Sequence, residues 1–127
     1  FRAMRSRRHA RRARRAERLV EAVLDGDVSK EDATQFFDGI EAANAIPYRK
    51  FVDATNTPAK IDEKILALVV ERMARNQSRS PIAVVVPATG PVDGLARLFL
   101  LIAEADGDRS RVFRDAAAAR QWLDTRQ

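Results

Sequence analysis

IAVVVPATGPVDGLARLFLLIAEA, residues Ile82 to Ala105, is the stretch on which the fold turns. Ile82 to Val86 are five consecutive apolar residues, mostly β-branched and with no alternating polar face. Such a run suits a strand covered on both sides, in the middle of a sheet. Pro87, Gly90 and Pro91 then interrupt the chain. A long amphipathic run follows, with Val92, Leu95, Ala96, Phe99, Ile102 and Ala103 at the three-and-four spacing of a helix face. A strand feeding a helix is the repeating unit of an α/β layer fold.

Working outward, the same alternation recurs. Leu19 to Leu24 reads as a strand closed by the turn Asp25-Gly26-Asp27. Ser29 with Asp32 three residues on makes a capping-box start for a helix that buries Ala33, Phe36, Phe37, Ile40 and Ala43, a pattern that Pro47 ends. Tyr48 to Ala54 reads as a second strand, with Tyr48 and Phe51 directed inward. Thr57-Pro58 or Asp62 starts a second helix, with Ile61, Ile65, Leu68, Val69 and Met73 as its buried face. After a polar loop from Arg75 to Pro81, the central strand and the helix over 92–104, Asp106-Gly107-Asp108 turns the chain. Val112 and Phe113 carry a short strand, and Asp115 caps a last helix that buries Ala119, Trp122 and Leu123. Strands separated by helices favour a largely parallel sheet with right-handed crossovers.

The net charge of +5 over 127 residues is unevenly placed. Residues 1–18 hold nine arginines against the single acid Glu17, a balance of +8, and the remainder is mildly acidic at −3. The sequence therefore divides into a basic N-terminal arm, 1–18, and a domain over 19–127. Within the arm, Phe1 to Ala3 precede Met4 and read as a cloning remnant. Ala10, Ala13, Ala16 and Leu19 fit a helical spacing that the crowded arginines oppose; a solvated tail and a basic edge strand are the other readings. Contact with nucleic acid would have to rest on this arm.

Other function classes find little support. There is no cysteine, and the only histidine, His9, lies in the arm, so no histidine-based triad, thiol chemistry or metal cluster can be assembled in the domain. The acids at 25, 27, 106 and 108 sit in turns, where they serve local hydrogen bonds. PATGPVDG, residues 87–94, lacks the lysine and glycine spacing of a phosphate loop. The sequence predicts no enzyme, no cofactor, no membrane span and a cytoplasmic location. Arg49, Lys50 and Arg114, with Asp53, are the candidate anion contacts near strand ends. The run over 92–104 is apolar beyond one face, through Gly94, Leu98 and Leu101, which marks those three as a candidate interface or ligand face.

YRKFVDAT at 48–55, the apolar strand ending in a Pro-Gly turn, GLARLFLLIAEAD at 94–106 and VFRDAAAARQWL at 112–123 resemble the bacterial SpoIIAA-like proteins. These belong to the STAS superfamily of anti-sigma-factor antagonists and are similar in fold to CRAL-TRIO lipid-transfer domains. The likeness spans about residues 19–124. It implies a single α/β domain of four or five mostly parallel strands and about four helices, the helices in one layer on the sheet. With the wide apolar face over 92–104, the sequence predicts a non-catalytic regulatory or protein-interaction module that pairs with itself as a homodimer or with another protein; the CRAL-TRIO likeness implies the alternative, a carrier of a small apolar ligand or lipid. In the superfamily's antagonists a phosphorylated serine follows a strand ending in Asp. Here the matching stretch, VDATNTPAKIDEK over 52–64, offers Thr55 and Thr57 as its only hydroxyls. Those two are the candidate phosphorylation sites, with helix capping and turn closure as their ordinary roles.

Overall fold

Six strands form one sheet in chain order: β1 (Met4–Arg5), β2 (Ala10–Arg14), β3 (Leu19–Asp25), β4 (Arg49–Asn56), β5 (Ile82–Val85) and β6 (Ser110–Phe113). Three helices accompany them among the described residues: α1 (Lys30–Ala42), α2 (Glu63–Asn76) and α3 (Ala116–Asp124). The computed structural model describes residues 4–5, 10–14, 16–56, 62–76, 80–87 and 109–126. The expected helix over 92–104 lies outside them, as does Thr57.

From β3 to β6 all pairings are parallel, while β1, β2 and β3 pair antiparallel. The chain is thus an α/β domain whose parallel part is the four strands expected, extended by a hairpin to six. That hairpin is drawn from the arginine-rich segment. β2 is a strand, not a helix, and pairs with β3 over five residues, so the sheet runs across the boundary that charge alone places at 18/19. Arg18, at φ 51, makes the turn between them.

β5 lies between β4 and β6 and is buried throughout, as an unbroken β-branched run requires. Its alternate residues feed two cores. Ile82, Val84 and Val86, with Ala54, pack against Val69 and Met73 of α2, and next to them Val20 packs with Ile40 of α1. On the other face Ala83 and Val85, with Leu19 and Phe51, pack against Ala119 and Leu123 of α3. Helices therefore cover both faces of the sheet, not one layer as the resemblance implies. Successive right-handed crossovers moving the same way across a sheet leave their helices on one side, and α3, which follows the last strand, is free to return over the other.

Local chemistry sets the helix ends. Ser29 and Asp32 form the reciprocal capping box, each side chain accepting the other's backbone N–H, and the Asp115 side chain accepts from the Ala117 amide. α1 stops before Pro47. Asn44 takes a left-handed φ of 55, its amide donates to the Glu41 carbonyl, and the Ala45 amide donates to the Ile40 carbonyl. This is a Schellman close with Asn where Gly is usual, sealed by contact between Ile40 and the fully buried Ala45.

Candidate site at the two ends of the parallel sheet

Parallel strands present all their carboxyl ends on one rim, where α/β proteins usually place their sites. On this rim β4 ends in Asp53-Ala54-Thr55-Asn56. Ala54 points into the core, which leaves Asp53 and Thr55 on the opposite side of the pleat. The Asp53 Oδ1 accepts both the Thr55 amide at 3.0 Å and the Thr55 hydroxyl at 2.7 Å. Thr55 is exposed, Asp53 half-buried. The Gly26 amide donates to the Asn56 carbonyl at 2.8 Å, tying the end of β3 to the end of β4. Arg114 reaches the Pro87 carbonyl at 3.0 Å, joining the ends of β5 and β6.

The amino-end rim is organised by two cations of adjacent number and opposite direction. Lys50 is 6% exposed and its Nζ donates to the Ile46 carbonyl at 2.7 Å, the Tyr48 carbonyl at 2.8 Å and the Ser80 hydroxyl at 2.8 Å. An ammonium has three protons, and all three are committed. Burial lowers its pKa to about 8, because the interior solvates the charged form less well than water does. Arg49 turns to the α3 side, donating to the Leu123 carbonyl and the Glu17 carbonyl, each at 2.9 Å, with Asp124 at 3.8 Å. A cation at a helix C-terminus meets the negative end of its dipole.

The structure therefore does not bring the candidate anion contacts together. Arg49 and Lys50 stand at the start of β4, Arg114 beyond the end of β6, and Asp53 beside Thr55 rather than beside any of them. Lys50 is a buried staple between the 46–48 turn and the strand start at 80–82, with no proton left for an anion. Gly94, Leu98 and Leu101 lie outside the described residues. Among the described residues no group of three or more His, Cys, Asp or Glu is placed to hold a metal, and no helix is long and apolar enough to cross a membrane.

Two buried cations escaped the sequence reading. Lys50 shares the pleat side of Tyr48, Val52 and Ala54, so the two-residue alternation of YRKFVDA already places it inside. Arg72 falls seven residues after Ile65 and three after Val69, on the apolar arc of α2. It is 6% exposed, lies 5.3 Å over the Phe37 ring, and donates to Asp38 at 2.9 Å and to Glu41, both on α1. Burial works against its charge, and the two carboxylates more than restore it, raising its pKa. Compared with known proteins, the chain matches no protein-family model and no curated protein.

Proposed function

We propose that this chain is a non-catalytic, cytoplasmic interaction module of the SpoIIAA-like, STAS-related kind, which binds another protein or a second copy of itself and is switched at Thr55. The observation that supports this reading is the end of β4. An exposed hydroxyl sits in the next-to-last residue of β4, two residues after Asp53 and ahead of α2, near where the resemblance puts the modified residue, after a strand's Asp and at the start of the next helix. The geometry gives the switch a mechanism. The Thr55 hydroxyl donates to Asp53, and a phosphoryl group would remove that donor and set a dianion beside a carboxylate. The contact between Asp53 and Thr55 at the end of β4 would have to break, disturbing the last residues of the strand.

Gly94, Leu98 and Leu101 supply the docking face in this proposal, on the strength of the width of the apolar arc in the sequence. The experiment is a comparison of native protein, Thr55→Ala and Thr55→Glu as baits in the source cells, with quantitative mass spectrometry of bound protein and of Thr55 itself. Phosphate at Thr55, together with a partner retained by Thr55→Ala and lost by Thr55→Glu, is the expected result. Unmodified Thr55 with identical partners on all three baits would overturn the switch, and monodisperse monomer with no partner on any bait would overturn the module.

A further inference from the structure

The end of the sheet where the parallel strands begin carries more positive charge than the fold consumes. Besides Arg49 and Lys50, three exposed arginines stand there: Arg18 ahead of β3, Arg111 in β6 and Arg126 just past α3. Each lies over an aromatic ring. The Arg18 guanidinium is 5.3 Å from the ring centre of Tyr48, that of Arg126 4.9 Å from that of Trp122, and that of Arg111 5.6 Å from that of Phe113. Among the described residues no carboxylate pairs with any of these three, whereas Arg49, Arg72, Arg75 and Arg120 each have one. A guanidinium held over a ring is partly ordered before a ligand arrives and still has N–H donors to offer.

These positions are physically joined. Arg49 donates to the Glu17 carbonyl with one terminal nitrogen and to the Leu123 carbonyl with the other, so the chain leading into β3 lies against the last turn of α3. The Arg126 amide donates to the same Leu123 carbonyl, at 3.0 Å. From there the ring of Trp122 meets that of Phe113 at 5.7 Å, and Arg111 rests on Phe113. A row therefore runs along the amino-end rim from β3, past β4, to β6, three strand spacings or about 14 Å. Glu17 and Asp124 border it, and Asp124 is the one that reaches Arg49, at 3.8 Å.

We infer that this amino-end rim docks an extended, acidic peptide segment of a partner protein, with Arg18, Arg126 and Arg111 as its contacts and Arg49 as the residue that holds them in line. Carboxylates are the natural complement of a guanidinium fork. An extended chain sets every second side chain on one side, roughly 7 Å apart, so three acids at alternate positions match the length of the row. Single-stranded nucleic acid would need aromatic faces on which bases stack, and these three rings already carry a guanidinium each. A lipid surface would need apolar side chains beside the charge, and Val23, the one large apolar residue exposed among the described residues, stands toward the other end of β3. The surface lies at the opposite rim from Thr55, so its test is separate from that of the switch.

The test is fluorescence anisotropy of the whole chain at about 50 mM salt with a labelled, end-blocked peptide of about seven residues in which Glu and Ser alternate, beside its Gln-and-Ser counterpart. The Glu peptide should bind at least ~10-fold more tightly than the Gln peptide, and most of that difference should vanish by about 500 mM salt. Arg18→Gln with Arg111→Gln and Arg126→Gln should weaken binding of the Glu peptide at least ~10-fold. The corresponding triple Lys variant should fall between the two, since an ammonium keeps the charge and loses the fork. The other arginines of residues 1–18 are present in every variant, so the loss reports on the rim. Urea melts show whether the variants fold. If the Gln variant does not, the peptide pair and the Lys variant decide. Equal binding of the two peptides, a folded Gln variant that binds as tightly as native protein, or a Lys variant that binds like native protein overturns the inference. So does tighter binding of an oligouridylate that the folded Gln variant loses, which would give the rim to nucleic acid. Low-salt dimerisation lost in that variant would give it to a second copy and overturn the inference as well.

Discussion

Lys50 shows how far one residue departs from what its type suggests. Its pKa of about 8 in the folded chain lies below the ordinary 10.5 of an exposed lysine. Between those values the unfolded chain holds the proton more firmly than the folded one, so folding releases it and stability rises with pH across that window. Below pH 8 the folded protein carries the full cost of the buried charge. The expected gain from pH 8 to 10.5 is roughly 3 kcal/mol at most, from the size of the shift. Urea denaturation of native protein and Lys50→Met across that range is the check. The native midpoint should climb relative to the variant, and parallel curves would show that burial does not govern this ammonium. At Thr55, Asp53→Asn keeps an acceptor for the hydroxyl and removes the charge. It should leave stability within ~0.5 kcal/mol of native and make a Thr55→Glu substitution less disruptive, since the like charges are no longer adjacent.

At the scale of elements, α1 and α2 are joined by a cation as well as by apolar contact. Removing Arg72 leaves Asp38 and Glu41 without it and uncovers one side of Phe37. Arg72→Ala should cost ~3 kcal/mol in a urea melt, against well under ~1 kcal/mol for the exposed Arg75→Ala, whose Nη2 lies 3.7 Å from Glu41. Ser29→Ala removes one half of the capping box and should cost ~1 kcal/mol. Much at this level was legible beforehand. The capping pairs at Ser29 and Asp115, the unbroken run at 82–86 and the turn residues at 25–27 each have one good local reading, and the structure adopts it. What was not legible has a common cause. Asn44 ends α1 through two backbone hydrogen bonds that leave no periodic trace, whereas Pro47 is conspicuous and comes too late. Lys50 and Arg72 sit at positions where the spacing says inside and the residue type says outside, and three acceptors or two carboxylates let the spacing prevail.

For the molecule as a whole, the division by charge at residue 18 conflicts with the division by hydrogen bonding. ARRAR has neither the β-branched composition nor the alternation of a strand, and only its five-residue pairing with β3 makes it one. Deleting residues 1–18 should therefore do more than remove positive charge. It strips the outer neighbour from β3, frees the Arg49 guanidinium from the Glu17 carbonyl, and leaves an unpaired strand edge. Differential scanning calorimetry should show a melting temperature lower by several degrees, ~4 °C for each kcal/mol lost, with light scattering reporting association through the new edge. A truncated chain that melts with the native one would mark the hairpin as energetically separate. The candidate site was less legible than the fold, because Asp53 and Thr55 read in the sequence as ordinary turn chemistry, whereas β4 runs through both and its pleat sets them on one side at an exposed strand end.

The placement of α3 has a consequence for how the chain is made. Once Arg114 has emerged from the ribosome, the six described strands, α1 and α2 can already associate, yet Phe51, Ala83 and Val85 still lack the cover that Ala119 and Leu123 bring. Until residues 116–124 emerge, the nascent protein is a half-shielded sheet, and that interval is when a holding chaperone would find it.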